Sequence, residues 1–317
     1  MASIAVLDDY QNVSQRMADW SALAANHSIK VFTTPFGSPA EAATAVAPFD
    51  IVCAMRERTL FDAAMLEQLP HLKLLVTTGH RNAAIDVAAA NARGVLVSGT
   101  DAPGIATAEL AMALILGLSR HIAIEAQGMR EGRWQTTIGR DLKGRTMGLI
   151  GLGRLGAQMA KYGHAFGMPV IAWSQNLTAE AAAQQGATRV EKGELFQRAD
   201  IISIHTKLSP RTTGLVGAAE LALMKSDALL INTSRGPVID ETALLSALHA
   251  GRIGGAGIDV YEPEPLPADH PLRTAPRTLL TPHIGFVTEE TYRIFYGGTV
   301  AAIEAWLAGK PVHVIPA

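Results

Sequence analysis

Cysteine is almost absent: Cys53 is the only one in 317 residues. A single thiol cannot close an internal disulfide, so a reducing compartment, the cytoplasm, is the expected location. An excess of charge is lacking too. Lys plus Arg total 27 and Asp plus Glu total 29, a formal net charge of −2. That near-balance argues against a nucleic-acid or membrane-surface partner, which needs a basic excess on one face. No run of five or six like charges forms a charged tail. The most apolar stretch, Ile105 to Leu118, is interrupted by Thr107 and Glu109 and is too short to span a bilayer. The opening residues Ile4-Ala5-Val6-Leu7-Asp8-Asp9 follow no basic stretch and precede no small-residue cleavage site. They predict a buried strand ending in acids, not a signal peptide. Repeats and low-complexity tracts are missing, and the nearest thing to a Pro-rich segment is Glu262-Pro263-Glu264-Pro265-Leu266-Pro267.

What is present is an ordinary globular composition, 48% hydrophobic and 18% charged. At roughly 150 residues per domain, the length predicts two domains. Short runs rich in β-branched residues at 4–7, 29–32, 51–55, 72–76 and 95–97 predict strands buried on both faces. Helix-like segments separate them at 14–25, 39–47, 61–69 and 85–93. A long helix is expected over 105–130, and then the alternation restarts. Strands are predicted at 147–150, 170–173, 201–204, 228–231, 256–260 and 278–280, with helices at 154–166, 195–198, 218–224, 241–249 and 289–308. This βαβα rhythm implies an α/β fold of two doubly wound parallel sheets.

Gly151-Leu152-Gly153-Arg154-Leu155-Gly156 follows one predicted strand and opens a predicted helix. That context turns a weak glycine pattern into a Rossmann dinucleotide site, with backbone N–H groups facing a pyrophosphate. Gly151 would permit the tight turn, Gly153 the approach of the phosphates, and Gly156 the close packing of helix on strand. An acid at the end of the next strand would bind the ribose 2′-hydroxyl of NAD. Here Ser174-Gln175-Asn176 stand instead, with no carboxylate to repel a 2′-phosphate and no adjacent arginine to grip one. Lys207, beyond His205 and Thr206, is a candidate cationic neighbour whose plainer reading is a solvated loop lysine. NAD and NADP both stay open.

Three segments place polar residues at the C-terminal ends of apolar strands, the edge where open α/β sheets bind ligands. They are Ile231-Asn232-Thr233-Ser234-Arg235-Gly236, Asp259-Val260-Tyr261-Glu262-Pro263-Glu264-Pro265 and Thr281-Pro282-His283-Ile284-Gly285. Taken singly, each has a plain reading: a loop histidine, a helix-capping arginine, a solvated glutamate. Together at one edge they make a hydride-transfer set. The histidine donates a proton to a carbonyl oxygen, the glutamate favours its charged form, and the arginine binds an α-keto carboxylate with its planar fork.

With Leu72-Lys73-Leu74, Ala108-Glu109, Asp141-Leu142-Lys143-Gly144 and the glycine loop, these stretches resemble the D-isomer-specific 2-hydroxyacid dehydrogenase family along the whole chain. Phosphoglycerate dehydrogenases, formate dehydrogenases and hydroxypyruvate reductases belong to that family. The resemblance implies that Arg235 holds substrate, His283 is the acid/base and Glu264 is its partner. It implies cofactor contacts from Gly151, Gly153, Arg154, Leu155, Gly156, Ser174, Gln175, Asn176, His205, Thr206, Lys207, Thr233, Ser234, Asp259 and Gly285. Of these, Asp259 would meet the nicotinamide amide and Arg154 and Leu155 the pyrophosphate.

The family also implies a flavodoxin-like substrate domain from residues 1–99 and 288–317, and a dinucleotide-binding domain from 100–287. Substrate contacts are expected from Arg56, Gly79 and His80. Arg81 stands where many relatives carry a second glycine, so substrate identity does not carry over. The expected activity is NAD(P)-dependent interconversion of a D-2-hydroxyacid and a 2-keto acid, in the keto-reducing direction. No metal is expected, and no regulatory extension is expected beyond Ala317. A non-catalytic dinucleotide sensor on the same scaffold is the alternative, and the joint presence of Arg235, Glu264 and His283 argues against it. A methyltransferase would leave those three unexplained. Leu110, Met112, Leu114, Ile115 and Leu116 give the 105–130 helix more apolar surface than one sheet buries. A homodimer is therefore expected.

Overall fold

The computed structural model describes all residues from Met1 to Ala317, and they divide into two compact units. The first comprises 1–103 and 287–317, the second 104–286.

In the first unit, β1 (Ser3–Val6), β2 (Ser28–Val31), β3 (Ile51–Ala54), β4 (Leu74–Thr77) and β5 (Leu96–Ser98) form one parallel sheet. Its order is β2-β1-β3-β4-β5, the flavodoxin-like arrangement. Strands β3 and β4 are buried at every position, as unalternated apolar runs require when helices cover both faces. The last helix, Glu289–Leu307, packs on β4 and buries Tyr292, Phe295, Tyr296, Val300 and Ile303. Asp50, just before β3, ties down the start of β1. Its Oδ2 accepts the N–H of Ser3 at 2.9 Å and its Oδ1 accepts Lys73 Nζ at 2.8 Å. Those donors, Lys73 first, hold the carboxyl down at about 2, against an ordinary value of 3.8. A lowered acid stabilises the fold above its unfolded pKa and loses that contribution as pH falls through the folded one. Lys73 is well exposed, so screening leaves about 1 kcal/mol. Acid titration from pH 4 toward 2 should therefore erode the stability of wild type more than that of Asp50→Asn; equal slopes would discount the pairing.

In the second unit, β6 (Met147–Ile150), β7 (Val170–Trp173), β8 (Thr188–Arg189), β9 (Ile201–Ile204), β10 (Leu229–Asn232), β11 (Gly255–Ile258) and β12 (Thr278–Leu280) form a seven-stranded parallel sheet. The order is β12-β11-β10-β9-β6-β7-β8, the doubly wound Rossmann order with one further strand. All its strands run the same way, so the residues after β6, β7, β9, β10, β11 and β12 meet at one edge. The chain's direction reverses between β6 and β9, which sets the ligand-binding crevice there.

The expected single helix over 105–130 is two helices, Ala106–Ser119 and Ile122–Arg130, bent by 64°. His121 between them is left-handed, with φ 52°. The returning segment supplies the reason: the N–H of Arg140 donates to Ser119 O at 2.9 Å, and Thr136 and Thr137 hold Glu125. Met112, Leu114 and Ile115 are buried inside the unit, against its sheet and the helix Arg154–Ala165, whereas Leu110 and Leu116 are only partly buried. No single helix is long and apolar enough to cross a membrane.

Candidate active site

Three turns at the sheet edge hold the polar residues. After β10, Asn232 organises the first. Its Oδ1 accepts the N–H of Ser234 at 3.0 Å, and its Nδ2 donates to Arg235 O at 2.9 Å. Gly236 then lies against the backbone of Tyr261, where a Cβ would come within 2.6 Å of the Tyr261 carbonyl carbon. The Arg235 turn thus packs directly on the turn that carries Glu264. Arg235 is half-buried, and its Nη1 donates to Ser234 O at 2.7 Å.

In the second turn, Glu264 Oε1 accepts the N–H of Tyr261 at 2.8 Å. Its Oε2 lies 2.6 Å from His283 Nδ1. A carboxylate only accepts, so Nδ1 carries the hydrogen and Nε2 is left for chemistry. The pair is partly shielded, with His283 23% and Glu264 31% exposed, and Phe286 stands edge-on to the imidazole at 5.7 Å. His283 itself is left-handed, with φ 52°, a conformation that non-glycine residues adopt only when their surroundings insist.

Asp259 supplies that insistence. Only 1% exposed, it accepts Thr281 Oγ1 at 2.6 Å and the N–H of Ile284 at 2.9 Å on Oδ1, and the N–H of Gly285 at 2.8 Å on Oδ2. Its carboxylate therefore clamps the chain on both sides of His283. Burial pushes its pKa above the ordinary carboxylate value, against the pull of these donors and of His283. In Asp259→Asn an amide NH₂ would face one of the three donors, at a cost of about 1–3 kcal/mol. Calorimetry should show a melting temperature lower by roughly 2–4 °C per kcal/mol, together with reduced kcat. An unchanged melting temperature would remove the clamp.

The glycine loop occupies the other part of the edge. Gly156 sits so tightly on the preceding turn that a Cβ there would lie 2.1 Å from Gly151 O. Gly153, by contrast, faces open space. It begins the helix Arg154–Ala165, whose first N–H groups have no side-chain cap. Arg154 and Leu155 form that helix's first turn, and the Arg154 guanidinium lies over Gly104. After β7, Ser174 is half-buried while Gln175 and Asn176 are exposed. Lys207 is exposed as well, whereas the Thr206 carbonyl accepts Ser234 Oγ. Two buried polar atoms here lack a protein partner, His205 Nδ1 and Thr233 Oγ1. Ser203 Oγ lies 2.8 Å from the other His205 nitrogen, and burial pushes the imidazole down to about 4, so it is neutral at pH 7. Glycine-enforced packing, uncapped helix N–H groups and orphaned polar atoms at one edge fit a bound dinucleotide.

In the first unit, the N–H of Gly79 donates to Thr100 Oγ1 at 2.9 Å, and the Arg56 guanidinium lies over Gly79. Arg56 and Gly79 are thereby brought together, while His80 points outward, 65% exposed and 3.9 Å from Asp101.

Comparison with known proteins decides the family. The model of the D-isomer specific 2-hydroxyacid dehydrogenase NAD binding domain matches residues 112–285. Glyoxylate/hydroxypyruvate reductase B of Citrobacter koseri is 40% identical over 241 residues, covering 73% of each chain. D-3-phosphoglycerate dehydrogenase of Methanocaldococcus jannaschii is 38% identical over 255 residues, covering 79% of this chain and 48% of that enzyme. The solved phosphoglycerate oxidoreductase of Vibrio cholerae O395 superposes with a TM-score of 0.92 at 35% identity, covering 98% of this chain and 100% of that one.

The chain belongs to the D-isomer specific 2-hydroxyacid dehydrogenase family. As a family member it is an NAD(P)-dependent enzyme acting on a CH–OH/C=O pair. What sequence reasoning missed in this dehydrogenase is the clamping by Asp259, the role of Asn232 and the packing of Gly236 on Tyr261. Asp259 was singled out only for the cofactor. Its position directly after a buried strand, level with Thr281, was the available signal.

Proposed function

We propose that this dehydrogenase reduces a small 2-keto acid of the glyoxylate or hydroxypyruvate class to its D-2-hydroxyacid, with His283 as the proton donor. The observation that carries the reading is the 2.6 Å contact between His283 Nδ1 and Glu264, whose other oxygen is held by the Tyr261 N–H. When bound, the nicotinamide supplies the hydride that reaches C2 of the keto acid. Arg235 orients the keto acid through its carboxylate. His283 Nε2–H gives its proton to the carbonyl oxygen as charge builds there, and Glu264 stabilises the imidazolium beforehand. The resulting neutral imidazole recovers its proton from solvent.

Residues 100–287 serve as the dinucleotide domain in this reading. Its contacts come from the glycine loop, Ser174 to Asn176, His205 to Lys207, Thr233, Ser234, Asp259 and Gly285. Residues 1–99 and 288–317 serve as the substrate domain, with Arg56, Gly79 and His80 taking the anionic substrate. The loop leaves room for NADPH as well as NADH, because no carboxylate stands among Ser174, Gln175 and Asn176 to repel a 2′-phosphate. Arg189 on β8 holds its Nε 3.2 Å from the Leu177 carbonyl of that same loop, while its Nη1 pairs with Glu191.

The test is a set of initial rates with NADH and NADPH separately, against glyoxylate, hydroxypyruvate, pyruvate and bulkier 2-keto acids. Oxidation of neither cofactor by any of them would end this reading. The enzyme is further assigned to the cytoplasm as a homodimer. Exposed Ile122, Ile124, Met129, Trp134 and Ile138 support the pairing; a monomeric mass by light scattering would refute it.

A further inference from the structure

The first sheet reverses direction between β1 and β3, so the residues after those two strands share a corner. That corner is densely charged: Asp8, Asp9 and Tyr10 follow β1, and Arg56, Glu57 and Arg58 follow β3. Most of these groups are committed to the corner itself. Asp9 accepts the N–H groups of Val13 and Ser14 at 2.9 and 2.8 Å. Asp8 accepts Thr59 Oγ1 at 2.8 Å and the Tyr10 hydroxyl at 3.1 Å. Arg58 donates to the Asp8 carbonyl at 2.7 Å and lies over the Tyr10 ring at 4.4 Å.

Arg56 and Glu57 face each other. Arg56 Nη2 is 3.5 Å from Glu57 Oε1, with the two side chains 23% and 22% exposed. The arginine is not loosely placed. Its N–H donates to Thr78 Oγ1 at 3.0 Å and its Nη1 to Thr78 O at 3.1 Å. Its carbonyl accepts Asn82 Nδ2 at 2.5 Å, which braces a left-handed backbone, φ 52°. Asn82 is itself fixed by Thr77 Oγ1 at 2.9 Å and the N–H of Ala84 at 2.8 Å. A braced cation thus carries its own counter-charge.

We propose that Glu57 is a specificity-determining residue that offsets Arg56, so that the enzyme selects 2-keto acids with an uncharged tail over those whose tail carries a phosphate. This rests on the reading of Arg56 as a substrate contact. One carboxylate can share Arg56 with Glu57. A second, doubly charged group meets Glu57 as well, and a like charge built into a site is the usual means of rejecting a near-relative of the substrate.

The experiment measures kcat/KM for hydroxypyruvate and for its 3-phosphate ester, in wild type, Glu57→Gln and Glu57→Asp, at one pH and ionic strength. Wild type should prefer the unphosphorylated acid. Glu57→Gln should raise the phosphorylated-to-unphosphorylated ratio by about tenfold, mainly through KM, as expected for removing one partly buried opposing charge. Glu57→Asp should keep the wild-type ratio. In wild type, inorganic phosphate should inhibit no more than chloride at equal ionic strength, a measurement that stands even where a variant fails to fold. A wild-type preference for the ester, strong phosphate inhibition, an unmoved ratio in Glu57→Gln, or equal shifts in both variants each overturns the proposal alone. Turnover of no 2-keto acid by wild type overturns the underlying function and this proposal with it.

Discussion

His283→Ala should lower kcat by about 10²–10⁴-fold, the range for loss of a positioned general acid. The fall should appear equally in kcat/KM, because the proton transfer is realised in the transition state and adds little to ground-state binding. NADH affinity, followed by fluorescence, should be nearly unchanged, since the glycine loop and the helix it opens lie on β6, away from the β12 turn. Glu264→Gln should cost less than the alanine change. A glutamine oxygen can still accept from Nδ1, but it no longer stabilises the imidazolium. Its NH₂ would then face the Tyr261 N–H, which Glu264 Oε1 now accepts at 2.8 Å, so that donor loses its acceptor. Wild-type turnover in His283→Ala would remove the residue from the chemistry altogether.

Arg235→Lys should reduce kcat/KM by about 30-fold or more, roughly 2 kcal/mol, the lower end for losing a desolvated charge contact. The substitution keeps the charge, so the loss isolates geometry: a planar fork can meet a carboxylate with two parallel bonds, and a point ammonium cannot. The surroundings make the fork's position specific. Asn232 holds the turn from both sides, and Gly236 allows it to press on Tyr261. Lysine leaves these backbone contacts intact, so melting temperature should barely move while KM for the keto acid rises. A kcat/KM within twofold of wild type would point to another cation as the carboxylate's partner.

Much of the fold was legible because buried parallel strands leave a strong mark. Ile51–Ala54, Met147–Ile150, Ile201–Ile204 and Leu229–Asn232 stand out as apolar runs. Weakly marked elements were missed. Strand β8 is two exposed residues with no apolar run to reveal it. The helix Ala179–Gln184 did carry a signal, a Thr178 cap accepting the N–H of Ala181 at 3.1 Å and Gly186 beyond its end. The segment 14–25, expected as one helix, is two short ones, Ser14–Met17 and Ser21–Asn26. The break after Ser119 had no local mark at all, for its cause lies some twenty residues on, at Arg140.

The balance of charge determined, without coordinates, that any attraction for an anion must come from a few placed side chains. The glycine spacing and the Arg, Glu and His stretches likewise named the chemistry, because each is a local pattern tied to a strand end. Tertiary structure decided what those residues lean on. Asp259 grips both sides of a left-handed His283, Glu264 divides its two oxygens between Tyr261 and the imidazole, and Glu57 offsets Arg56. The first two are contacts between different turns, and the third pairs chain neighbours whose arginine is oriented from elsewhere, by Thr78 and Asn82. Side-chain spacing along one chain carries no information about such distances until the sheet sets them.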